Sequence, residues 1–495
     1  MLSLIPESQS DLHVAYASSA DSKLSVQILQ TSDEIRQFPI PTNNSGPNAI
    51  VAAPNETFWF VEFAAGKLGE FFEQNDSFKE FKIPENNSIP TSLAVDGLGN
   101  VWFSDQSGSG SIWKYDPVTN QFTQYDTPTN ESTPLFILVD QQNDIWFTEI
   151  SADRIGELTY PGYRAVEYSL PTANAEPVEM AWSLDKTSIW ITEAEIGKIA
   201  RFDLSTHSFT EYSPPLSLSL KDPVGIVVDH SGNVWVSEHG GSAVIELTPS
   251  NSSFRAYPTS IPAGSFPFSA VATLAIDSLG RLWFVEHYAN LVGRLDPSND
   301  QMEEFVIPST GLAYSVLNAL DAQGNFWFTE FGANSIDEIP YNASSPVETT
   351  LQLPHLTNSP SNQAIHAEVT VSNNLDAPQT ISLSTTSSFS YTGVTPSQQI
   401  SLNESSLYLP AGGSAVVAAT ITPGDTLPSG IYSVGIVATT ANTSTVGIGF
   451  ISIVAQFNFV GWIFSNYQIA LIALVIVSAG TYVVVSRRPA KRSKK

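Results

Sequence analysis

Two histidines stand directly after glutamates at the ends of similar strands, His239 after Glu238 and His287 after Glu286. An imidazole titrates near neutral pH and can take a proton from a reacting carbon, so His239 and His287 are the candidate general bases. A carboxylate closes the tryptophan-bearing strand of every repeat unit: Glu62, Asp105, Glu149, Glu193, Glu238, Glu286 and Glu330. A divalent ion holds its oxygen ligands at about 2.0–2.6 Å. Acids on neighbouring units, on the order of 10 Å apart, cannot share one. A metal therefore requires a second acid on the loop that leads into the same unit. Two units supply it, Asp222 with Glu238 and Glu176 with Glu193, and Mg or Ca is the ion such oxygens would take. The alternative for all seven acids is a turn-fixing role, each accepting hydrogen bonds from a local loop. His13, His207, His230, His355 and His366 show no ligand spacing.

These residues have to be positioned by a repeat. WFVE at Trp59–Glu62 returns as WFSD, WFTE, WITE, WVSE, WFVE and WFTE, with tryptophan intervals of 43, 44, 44, 45, 48 and 44 residues. Seven copies at that period read as four-stranded units of a propeller. Each unit has an apolar first strand (GIVVD at Gly225–Asp229), a Gly-Asn turn, the Trp strand, an I-G strand (Ile155–Leu158), and an aromatic strand stopped by proline (VEYSLP at Val166–Pro171). The tryptophans are expected to fill the wedges between neighbouring sheets. Aromatic-proline strands number eight against seven units, so Ile35–Ile40 is expected to complete the seventh sheet beside Asn325–Glu330. The surplus copy, Thr349–Pro354, would lead onward.

Residues 355–456 lose tryptophan and alternate in short strands such as IHAEVTV at Ile365–Val371, the pattern of an immunoglobulin-like β-sandwich. Ile469–Val485 is seventeen residues without a charge, followed by six cations, which reads as a transmembrane helix with a cytoplasmic tail. The expected fold class is thus all-β: a seven-bladed β-propeller, an immunoglobulin-like β-sandwich and one C-terminal transmembrane helix. The expected boundaries are 1–34 unassigned, 35–354 propeller, 355–456 sandwich stalk, 457–486 juxtamembrane segment and helix, and 487–495 basic tail. No signal peptide is visible in residues 1–30, while nine N-x-S/T acceptors favour an extracellular N-terminal portion of a single-pass cell-membrane protein.

Composition narrows the partners. The chain has 495 residues, 21 Lys and Arg against 49 Asp and Glu, and a net charge of -28. A nucleic-acid binder working through a basic face is excluded, and with no cysteine so are disulfides and thiol chemistry.

The unit WFTE…IG…[DE]P…E[YF]xxP resembles the repeat of the streptogramin B lyases, the virginiamycin B lyase family. Trp146–Gly156, Trp283–Pro297 and Trp327–Ile339 carry it best, and the resemblance spans about 35–354. It implies a seven-bladed propeller that opens a cyclic depsipeptide by Mg-dependent elimination. The family's site has an acid, one intervening residue and a histidine on the loop into a repeat, then a Glu that closes the Trp strand. The matching positions here are Asp222, Pro223, Val224 and Glu238, and Glu176, Pro177 and Val178 with Glu193 one residue out of register. The acids carry over to the metal side; valine replaces the histidine in both, leaving His239 or His287 to act from another direction. The expected function is a membrane-anchored extracellular propeller used as a surface binding module for a small molecule, peptide, glycan or basic protein surface. The alternative is a divalent-metal-dependent lyase or lactone-opening enzyme, and a third reading is a structural surface-layer or adhesion component.

Overall fold

The computed structural model describes residues 23–28, 35–54, 56–215, 218, 220–259, 268–299, 301–308, 315–343, 347–352, 365–373, 377–387, 400–421, 430–440 and 443–455. Each repeat folds into an antiparallel sheet in chain order. The third, for example, runs Pro134–Val139, Ile145–Glu149, Arg154–Thr159, Arg164–Ser169. The Trp strand is second in every sheet and is buried along its whole length in six of the seven, as Val101–Asp105, Ile145–Glu149, Ser188–Glu193, Val234–Glu238, Leu282–Glu286 and Phe326–Glu330.

Three recurrent contacts explain the repeat residues. The turn aspartate before the Trp strand accepts backbone N–H groups of its own turn and the indole N–H: Trp102 Nε1 to Asp96 at 2.8 Å, Trp283 Nε1 to Asp277 at 3.0 Å. A buried indole N–H needs such a partner. The Phe of WF lies across from the Gly of the I-G strand, Phe147 opposite Gly156, where a Cβ would come within 2.1 Å of the ring. In the third and fourth sheets the hydroxyl one residue before the acid ties the sheet to the next: Thr148 Oγ1 to Val178 O and Thr192 Oγ1 to Val224 O, both at 2.9 Å. Tryptophans bridge the sheets, with Trp59 against Tyr115 at 5.6 Å and Trp283 against Phe326 at 5.3 Å.

The first strands pack in chain order from the first sheet to the sixth. The seventh sheet meets the first where Ile50 N–H donates to Leu317 O at 3.1 Å. The outer strand of the seventh sheet is Arg36–Pro39, paired with Ser335–Ile339, the non-local pairing that the strand count requires.

Pairing corrects the expected fold class. Among the described residues no sheet closes on itself into a propeller or a barrel; the repeats form separate open sheets. The sixth is not a four-stranded unit either. Its outer strand, Gln301–Val306, pairs with Thr443–Ala455, and the sheet continues through Gly430–Thr440 and Gln379–Ser387 to Ser406–Leu409. The remaining late strands join a five-stranded sheet with Lys23–Ile28 and Val347–Gln352, so the C-terminal strands do not stand apart as a sandwich. Local alternation shows that a segment is a strand, but an open edge accepts any strand of suitable register.

Among the described residues no helix is long and apolar enough to cross a membrane. Residues 469–485 lie outside the described residues. The membrane-anchored surface module, its single-pass anchor and the extracellular assignment with a cytoplasmic tail are therefore withdrawn.

Candidate active site

Hairpin register builds the site. In the fifth sheet Pro223 pairs with Glu238, so Asp222 and His239, one step beyond, lie opposite each other, and His239 N–H donates to Asp222 O at 3.1 Å. In the sixth, Val271 pairs with Glu286, which sets His287 beside Ala270 at the equivalent place. Neighbouring sheets thus present two imidazoles at matching ends. Asp222 Oδ2 lies 3.0 Å from His239 Nδ1, and His239 Nε2 lies 3.2 Å from His287 Nδ1. The far nitrogen of His287, Nε2, is 3.1 Å from Ser315 O and 3.2 Å from Ser315 N. Ser315 is itself fixed, its hydroxyl accepting from Thr329 Oγ1 at 3.1 Å. The result is a continuous line from a carboxylate through two rings to a backbone peptide.

Exposure falls along that line. The Asp222 side chain is 51% exposed, that of His239 is 21% exposed, and His287 is buried at 3%. Burial, followed by the nearby His239 charge, lowers the His287 pKa to about 3, so this ring stays neutral at physiological pH. Tyr288 stands beside His239 with ring centroids 6.3 Å apart, and Phe268 packs edge-on against Tyr288 at 5.3 Å, giving the site an aromatic flank.

The strand-closing acids lie inside the sheets. All seven are fully buried, one residue inside the positions that carry Phe63, His239, His287 and Phe331. Several fix turns: Asp105 accepts from Ile89 N–H at 2.9 Å and from Ser107 N–H at 2.8 Å, and Glu238 Oε1 accepts from Lys221 N–H at 3.1 Å. Glu193 has no hydrogen-bond partner on either oxygen among the described residues, and burial, with Glu211 adding repulsion, raises its pKa to about 8. Glu176 is exposed on its loop, with its backbone N–H given to Asp153 at 3.1 Å.

A divalent ion does not fit this arrangement. Mg needs about six hard oxygen donors, and Ca six to eight. Among the described residues no three His, Asp or Glu side chains gather as a metal site. Asp222 turns Oδ2 to an imidazole and Glu238 gives Oε1 to a backbone amide. Of the residues singled out by sequence, the structure joins Asp222, His239 and His287. Ser315 escapes sequence reasoning because a backbone group leaves no signature; the available signal was its position on the loop into the next repeat.

The model of the virginiamycin B lyase family matches residues 109–377. Among solved structures, a streptogramin B lyase is 28% identical with a TM-score of 0.55, covering 61% of this chain and 96% of that one. Virginiamycin B lyase from Staphylococcus aureus is 24% identical with a TM-score of 0.55, covering 61% and 98%. A catalytically inactive variant of that enzyme with quinupristin is 23% identical with a TM-score of 0.54, covering 61% and 98%. Among curated proteins no sequence match is found.

Proposed function

Since this chain belongs to the virginiamycin B lyase family, we propose that it is a carbon–oxygen lyase that opens an ester by elimination, with His239 as the proton acceptor. The observation that carries the reading is the Asp222–His239–His287 line, an imidazole oriented by a carboxylate on one side and a buried neutral ring on the other. The substrate class is an ester whose alcohol oxygen sits on the carbon next to an acidic C–H, as in a cyclic depsipeptide. His239 takes the α-proton. The C–H electrons form a carbon–carbon double bond, the adjacent C–O bond breaks, and the ester leaves as a carboxylate. No water is consumed. The imidazolium formed on His239 has the Asp222 carboxylate close by, and a nearby opposite charge favours it. Tyr288 and Phe268 offer apolar surface to hold a ring-bearing substrate against the base.

The test compares the purified protein with its His239→Ala variant on quinupristin, the compound present with the inactive relative. Ring opening by the native chain and a loss of roughly a hundredfold to ten-thousandfold in the variant are expected for removal of a general base. Equal rates would remove His239 from the reaction.

A further inference from the structure

Each neutral imidazole carries one N–H and one bare nitrogen, so the line from Asp222 to Ser315 can be satisfied in only a few ways. In one arrangement Ser315 N–H donates to His287 Nε2 at 3.2 Å. His287 Nδ1–H then donates to His239 Nε2, and His239 Nδ1–H to Asp222. Every group is matched, but His239 has no bare nitrogen left for a substrate. In the other, His287 Nε2–H donates to Ser315 O at 3.1 Å. His287 Nδ1 is then bare and accepts His239 Nε2–H, which leaves His239 Nδ1 bare. That nitrogen is the one a substrate can reach. Nε2 is closed off by the buried His287, whereas Nδ1 is covered only by the half-exposed Asp222 side chain.

We propose that His239 and His287 change tautomer together, anchored in either state by the Ser315 peptide, and that Asp222 selects the state. With its carboxylate on Nδ1, Asp222 draws the His239 proton there and the base is blocked. When a substrate turns Asp222 aside, that preference is gone, both rings carry their proton on Nε2, and Nδ1 becomes the base. The Ser315 carbonyl and amide lie within hydrogen-bond reach of the same ring nitrogen, so the far end of the line favours neither arrangement strongly. His287 is a positioning residue: it touches no substrate and acts by deciding which His239 nitrogen holds the proton. This rests on the lyase reading for its use, although the coupling itself does not.

The experiment reads the tautomers directly. Nitrogen NMR of the full chain labelled in its histidines, at a pH where His239 is neutral, is expected to place both ring protons on Nδ1 in the native protein. In Asp222→Gly both are expected on Nε2, the His287 change being transmitted across a residue that was not altered. An unchanged His287 tautomer in that variant would overturn the proposal. Turnover adds a second arm: His287→Leu is expected to lower kcat by tenfold or more with KM nearly unchanged, and in that variant the His239 proton stays on Nδ1. Full kcat in a folded His287→Leu would also overturn it. If the tautomers move together but no ester is opened by the native chain, the lyase reading fails and the coupling stands.

Discussion

Asp222 holds a backbone φ of 47°, in the left-handed region that glycine reaches freely and aspartate enters at a cost. The corresponding position of the first repeat, Gly46, has φ 59° and the residue expected there on conformational grounds. At 3.0 Å from His239 Nδ1, the Asp222 carboxylate makes a contact that glycine cannot. Asp222→Gly is accordingly expected to leave the melting temperature unchanged or raise it, read by thermal denaturation. Glu193 gives a pH test. Its folded pKa of about 8 lies above the ordinary 4.5, so the native state binds the extra proton across that interval. Stability from this group is therefore present below about 4.5 and declines as pH rises toward 8. Glu193→Gln should flatten the fall in melting temperature over that range. The doublets at His239 and His287 were legible in the sequence as titratable groups, and their pairing with Asp222 followed from hairpin register once the strands existed. That all seven acids are fully buried was not legible, because strand periodicity gives a side but not a depth.

The Phe–Gly pair is the clearest rule at the level of the sheet. Phe60 faces Gly69, Phe147 faces Gly156 and Phe284 faces Gly293, and in each the missing Cβ would lie about 2 Å from the ring. The fourth sheet changes both partners at once, to Ile191 and Ala200. Gly156→Ala alone should cost about 1–3 kcal/mol from overpacking, read from the denaturation midpoint. Adding Phe147→Ile should recover part of the loss, reproducing the fourth-sheet pair inside the third. The I-G pattern was visible as a motif, but its cause is a cross-strand contact that appears only with the pairing.

Connections between distant parts of the chain decide the whole molecule. Phe38, from the strand Arg36–Pro39, stacks on Trp327 with centroids 5.6 Å apart and is buried at 7%. Phe38→Ala should destabilise the protein by about 3 kcal/mol or more, measured by denaturation. The pairing of this strand with the seventh sheet could be inferred by counting eight similar strands against seven repeats. The extension of the sixth sheet by Thr443–Ala455 could not, since nothing local in Gln301–Val306 marks it as the edge that receives another strand. The chemistry depends on this larger order, because Asp222 and His239, His287, and Ser315 come from three successive repeats and meet only when those repeats pack side by side. The most direct measurement opens quinupristin with the native chain in heavy-oxygen water and weighs the linear product. Elimination predicts a product of the same mass as the ring, with a new carbon–carbon double bond and no heavy oxygen. Heavy oxygen in the released carboxylate, or a ring recovered intact, would contradict the account.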